Sequence, residues 1–164
     1  MRMRRYGVGL GLVLVAGLLT GCSPQVCGGI TLSRNEVGQL MAVMEKCRGE
    51  IEYVSLSEHS GRERVKHGEW TVDELDDGSH ELNLETGTPT WKASNPWQPL
   101  KPGVMYTIGA WDEGQSWSLG ALTFTVEALT KLKPGLVLGS KSQNGQNVLV
   151  PEPLEKFKKV SCGG

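Results

Sequence analysis

Four cysteines, three histidines, a run of acidic residues and five tryptophans are the side chains of this 164-residue chain whose types could carry chemistry. Cys22, Cys27, Cys47 and Cys162 include no Cys-x-x-Cys pair, and His59, His67 and His80 include no His-x-x-His pair, so the spacing of a metal site is missing. No metal or other cofactor is expected. The hydrolase and nucleotide motifs G-x-S-x-G, S-x-x-K, H-E-x-x-H and Walker A do not occur, which argues against an enzyme. Asp73-Glu74-Leu75-Asp76-Asp77-Gly78 has the composition of a calcium loop, but Leu75 falls where a ligand is needed. A solvated acidic turn is expected instead.

Tryptophan usage is uneven, with five against only two phenylalanines. Trp91 and Trp97 lie in the polar, Pro-containing stretch TPTWKASNPWQP, and Trp117 follows the turn residues DEGQS. Tryptophans on loops stack on sugar rings or anchor protein partners, so Trp91, Trp97 and Trp117 are the candidate ligand contacts. A core short of phenylalanine must draw on the same residue type. Trp70 and Trp111 are therefore assigned to the core, and packing is the leading role for Trp91 and Trp97, with ligand contact second.

The chain opens with MRMRRYG, carrying Arg2, Arg4 and Arg5, and continues with the uncharged apolar GLGLVLVAGLL. These are the n-region and h-region of a signal peptide. The apolar stretch is shorter than the roughly 30 Å hydrocarbon core, which disfavours a permanent span. Its closing residues Leu19-Thr20-Gly21-Cys22 resemble the lipobox of bacterial lipoproteins. That resemblance covers residues 1–22 and implies cleavage after Gly21, diacylglycerol on the Cys22 sulfur and a further acyl chain, such as palmitate, on the new amino terminus. Two or three chains, at about 0.8 kcal/mol per buried CH₂, give stable anchoring on the extracytoplasmic face of a membrane. In a Gram-negative cell, Ser23 rather than Asp after the lipidated residue favours the outer membrane. An ordinary secretory signal followed by a chance cysteine is the alternative.

Removing residues 1–21 leaves 143 residues, enough for one domain with a real core. Three of the 17 basic residues leave with the signal, so 14 face 18 acidic ones, a net charge of −4. A mildly acidic chain does not suggest nucleic acid or direct binding to anionic lipid. Cys27, Cys47 and Cys162 remain, in a compartment that permits disulfides, so one bridge and one leftover thiol are expected. ITLSR (30–34) and GQLMAVMEKC (38–47) read as strands around a turn at Asn35 to Val37, with paired residues whose numbers sum to 74. That register sets Cys27 opposite Cys47 and makes their bridge the leading expectation. Cys162 with either of them is the alternative.

The elements that must position these residues are mostly strands. IEYVSLSE (51–58), GEWTV (68–72), HELNLET (80–86), VMYTIGAW (104–111) and WSLGALTFTV (117–126) are separated by turn-rich pieces. LVLG (136–139) and NVLV (147–150) read as a last hairpin turning at Asn144-Gly145. Only TVEALTKL (125–132) and EPLEKFKK (152–159) have helical character. Leu100-Lys101-Pro102-Gly103-Val104-Met105-Tyr106-Thr107-Ile108 is similar to the tyrosine corner of the fibronectin type III domain. The likeness implies that Tyr106 is core and bonds back to the turn backbone. The expected fold is all-β, an Ig-like or fibronectin-like antiparallel sandwich with an extra C-terminal hairpin. The expected divisions are 1–21 signal peptide, 22–26 lipidated tether and 27–164 domain. The four residues between Cys22 and Cys27 span at most about 14 Å, which holds the domain close to the membrane.

The function expected on these grounds is non-enzymatic, that of an envelope lipoprotein binding a protein or cell-wall component, or serving as an accessory subunit. A carbohydrate-binding module using the loop tryptophans is the second reading.

Overall fold

The computed structural model describes residues 23–60 and 63–163. The signal peptide and Cys22 lie outside the described residues. The described chain forms an all-β sandwich of two sheets facing each other across one core.

The first sheet has the order β1-β9-β8-β4-β5-β7, from β1 (Gln25–Val26), β9 (Trp117–Thr125), β8 (Met105–Trp111), β4 (Tyr53–Ser60), β5 (Glu63–Thr71) and β7 (Lys92–Asn95). The second has the order β11-β10-β2-β3-β6, from β11 (Gln146–Pro153), β10 (Leu136–Gln143), β2 (Gly28–Arg34), β3 (Leu40–Lys46) and β6 (Gly78–Asn83). With β2, β3 and β6 on one side and β4, β8 and β9 on the other, the partition is that of an Ig-like sandwich. Alternation puts Leu32, Ala42, Met44 and Leu82 of one sheet against Val54, Leu56, Tyr106 and Ile108 of the other, all fully buried. Each large side chain so buried contributes about 1.5–3 kcal/mol. Trp70, 1 % exposed, fills the space that phenylalanine would occupy in another core.

The tyrosine corner is present: the Tyr106 hydroxyl oxygen accepts the Lys101 N–H at 2.8 Å. The turn at Asn144-Gly145 also forms, both residues at positive φ, and joins a hairpin several residues longer than its apolar runs indicate. The helical segments are α1 (Val126–Leu129), one turn, and α2 (Leu154–Cys162). The strand β7 arises within a stretch read from sequence as loop. It pairs with β5 through Trp70↔Ala93 and Thr71↔Lys92.

The register of the first hairpin is the expected one, Ile30 opposite Met44 and Leu32 opposite Ala42. The expected bridge between Cys27 and Cys47 nevertheless does not form. The disulfide joins Cys47 to Cys162, with Cα atoms 5.5 Å apart. Cys27 lies where the chain crosses between sheets. Its carbonyl accepts the Cys47 N–H, but its own N–H goes to Ser118 on the other sheet. The crossing turns the Cys27 side chain into the core, 2 % exposed and unpaired. Cys47 is only half-buried and meets α2, whose Phe157 and Leu154 cover Val43 and Val137 in a small second core on the outside of β3 and β10. The helix approaches so closely that a Cβ on Gly29 would lie 2.5 Å from the Ser161 Oγ.

Candidate functional site

The exposed face of the six-stranded sheet is built from the residues of β4, β8 and β5 that do not enter the core. Along β4 these are Tyr53, Ser55 and Ser57, alternating with buried Val54 and Leu56. Cross-strand pairing makes three rows. Thr71, Tyr53 and Trp111 form the first, Glu69, Ser55 and Gly109 the second, and Lys66, Ser57 and Thr107 the third. The middle row is low at its small residues Ser55 and Gly109, beside the rings of Tyr53 and Trp111. A concavity of about 530 Å³ results.

The sheet carries two irregularities, of which the first adds to the lining. Leu56 pairs with Gly68 but Ser57 pairs with Lys66, so His67 is the extra residue of a bulge. In a regular strand Lys66 and Glu69, three apart, would point to opposite faces; the bulge puts them on the same one, where they form an ion pair. His67 turns inward, 3 % exposed, with Nε2 2.7 Å from a Glu58 carboxylate oxygen and its ring edge-on to Tyr106. His67 is the buried one of the three histidines. The second bulge lies in β9, where Leu119 and Gly120 face Ala110 alone, and Gly120 takes the positive φ of +76° that the kink requires.

Trp111 is the other correction. It is not in the core but half-buried on this outer face, its indole folded back over Gly109, where an added Cβ would come 2.1 Å from Cη2. Tyr53 stands beside it, ring centroids 5.8 Å apart at an interplanar angle of 31°. Burial, then the nearby Glu69 carboxylate, raise the Tyr53 phenol above its ordinary range, so it remains a hydrogen-bond donor. At the far end the Thr107 hydroxyl, 9 % exposed, is held at 2.7 Å by His59 Nε2 and at 2.8 Å by the Thr123 hydroxyl. The Tyr53 end is rimmed by Glu113 and Gln115, and Gln115 has a φ of +52°. That conformation costs a residue other than glycine, asparagine or aspartate of order 1 kcal/mol and is concentrated at functional sites.

Of the tryptophans proposed from sequence, Trp91 and Trp97 come together and Trp117 lies apart from them. Trp91 is 5 % exposed and belongs to the core, so packing claims it. Trp97 is half-buried and shares with Trp91, Pro89 and Pro96 a separate cleft of about 350 Å³. Trp117 packs on Gly49, with the Arg48 guanidinium 5.9 Å from its ring, so this chain itself takes up its ring. The acidic turn at 73–78 is a turn: Asp77 pairs with Lys46, Asp73 with Lys92, and Leu75 is buried. Among the described residues no three His, Cys, Asp or Glu side chains are placed to hold a metal ion, and no helix is long and apolar enough to cross a membrane.

Sequence reasoning missed the exposed sheet face as a site. Its signals were present: the Tyr-x-Ser-x-Ser alternation of 53–57 and the Gly-x-Trp spacing of 109–111. What hid them is that a polar outer face is ordinary for a sandwich strand, and the bulge that adds Lys66 to Glu69 leaves no mark in sequence. No protein-family model, curated protein or solved structure matches the chain.

Proposed function

We propose that this chain is a non-enzymatic, membrane-anchored lipoprotein of the cell envelope that binds an envelope component on the exposed face of its six-stranded sheet. The observation carrying this reading is where the tether enters. Gln25–Val26 lie parallel to Trp117–Ser118, and the Gln25 N–H bonds to the Ser116 carbonyl at 2.8 Å. The loop joining β8 to β9 also supplies Glu113 and Gln115 to the rim of the concavity. A lipid on Cys22 therefore holds the aromatic end of this face toward the membrane, since the chain from Cys22 to Gln25 spans only about 10 Å. The chemistry of the face suits binding. It offers hydroxyls, two aromatic rings and paired charges.

Two measurements test the reading. Cys22→Ser should move the protein from the membrane fraction to the soluble extracytoplasmic fraction and abolish incorporation of labelled palmitate. Unchanged membrane retention refutes the anchor. A photo-crosslinking residue at Ser55 should capture an envelope component in cells, whereas the same residue at Glu81, on the other sheet, should not. Equal capture at both refutes the assignment of the face.

A further inference from the structure

We infer that the concavity of the six-stranded sheet is a saccharide site, taking a short, uncharged segment of glycan with a sugar ring stacked on Tyr53 and Trp111. The inference rests on the binding role proposed above and adds the class of ligand.

Charge comes first. Arg64 and Lys66 are matched by Glu69 and Glu113, so the lining selects neither an anion nor a cation. A nucleic acid or an acidic headgroup would require a surplus of positive charge. A peptide strand would require an open sheet edge, but β4 and β8 pair on both sides, and the part of β5 that β7 leaves uncovered, Glu63–Lys66, opens at the side of the sheet rather than on the face. The ligand meets side chains only. Those side chains are hydroxyls that both donate and accept, Ser55, Ser57 and Thr71, beside a carboxylate and an ammonium. A polyol is the ligand whose groups also donate and accept at every position.

Aromatic geometry is the second line. A sugar ring has an apolar face of C–H bonds, which the partly negative face of an aromatic ring attracts. Trp111 is laid down on Gly109 rather than standing out from the sheet, and Tyr53 is tilted beside it at 31°. Two rings thus form a platform, the Trp111 indole covering Gly109, next to Ser55 in the low row. From Tyr53 to Ser57 the sheet offers about 13 Å, the length of two to three sugar units. The volume of about 530 Å³ falls in the range of small-ligand sites.

The full-length protein, held in lauryldimethylamine oxide so that no glycosidic detergent competes, is titrated with triacetylchitotriose, cellotriose and maltotriose, and binding is read by saturation-transfer NMR and calorimetry. At least one should bind with a Kd of roughly 10 μM to 1 mM. Tyr53→Ala and Trp111→Ala should each weaken it by about tenfold or more. Ser55→Arg, which fills the low row without touching the core, should abolish it with unchanged circular dichroism. Trp97→Ala should leave it unaltered. No binding of any of the three at 10-millimolar ligand, on the order of the weakest useful affinity, overturns the inference, as does binding that survives Ser55→Arg. Protein capture at Ser55 by photo-crosslinking together with no saccharide binding would overturn the glycan and leave the binding role standing.

Discussion

Replacing both Cys47 and Cys162 with serine removes a covalent link spanning 115 residues of sequence. On the chain-entropy treatment of cross-links, closing a loop of that length lowers the entropy of the unfolded chain enough to stabilise the fold by about 4.8 kcal/mol at 25 °C. With a urea m-value of about 2 kcal/mol/M, the midpoint should fall by roughly 2 M. In a thermal scan the loss corresponds to about 10–20 °C. The structure also says where the loss will show first. α2 is held by Phe157 and Leu154 over Val43 and Val137, a cluster far smaller than the main core. Without the bridge α2 should detach before the sandwich unfolds, exposing its lysines to trypsin while the near-ultraviolet signal of Trp70 persists. The assay is paired urea unfolding and limited proteolysis of wild type and the double variant, with a peptide map of the native disulfide under non-reducing conditions. A midpoint lowered by less than about 0.3 M, a small fraction of the expected shift, refutes the reasoning. So does a mapped peptide joining Cys27 to Cys47.

Three further outcomes can be checked. Burial raises the Cys27 thiol above its ordinary range, so in the folded state it should resist iodoacetamide at pH 8 and react rapidly in urea. Because the folded thiol holds its proton to higher pH than the unfolded one, its contribution to stability is complete below the unfolded thiol's range and is lost as pH rises through the folded one; stability that rises with pH in that alkaline window would contradict the burial. Tyr106→Phe removes the acceptor for the Lys101 N–H and should cost about 1–2 kcal/mol by urea unfolding; a change below a few tenths would show that the corner contributes little.

Local chemistry made much of the fold legible. Alternation in 30–46 and 104–126 placed strands because a half-buried strand must alternate, and the sum-of-74 register came from matching apolar faces across one tight turn. Asn144-Gly145 and Leu100 to Tyr106 were readable because their backbones demand those residue types. β7 was not, because Lys92 to Asn95 is polar and becomes a strand only by taking the free edge of β5. Trp111 was misplaced although alternation records its side: it lies five residues, an odd number, from buried Tyr106 on an unbroken strand and so points to the outer face, where its indole folds over Gly109.

The sequence by itself determined the signal-like leader with its lipobox resemblance, the all-β class, the register of the first hairpin and the tyrosine corner. All of these depend on residues within a few positions of one another. Tertiary structure alone decided which cysteines meet and that Trp91 is more deeply buried than Trp97. Cys27 and Cys47 are neighbours in register, yet a crossing between sheets points one inward and leaves the other beside a helix from the end of the chain. It also decided part of the candidate site, since the bulge in β5 brings Lys66 onto the face that carries Glu69, Ser55 and Ser57. Side-chain direction after a bulge or a crossing is set by the neighbouring strand's hydrogen bonds, and no local pattern records it.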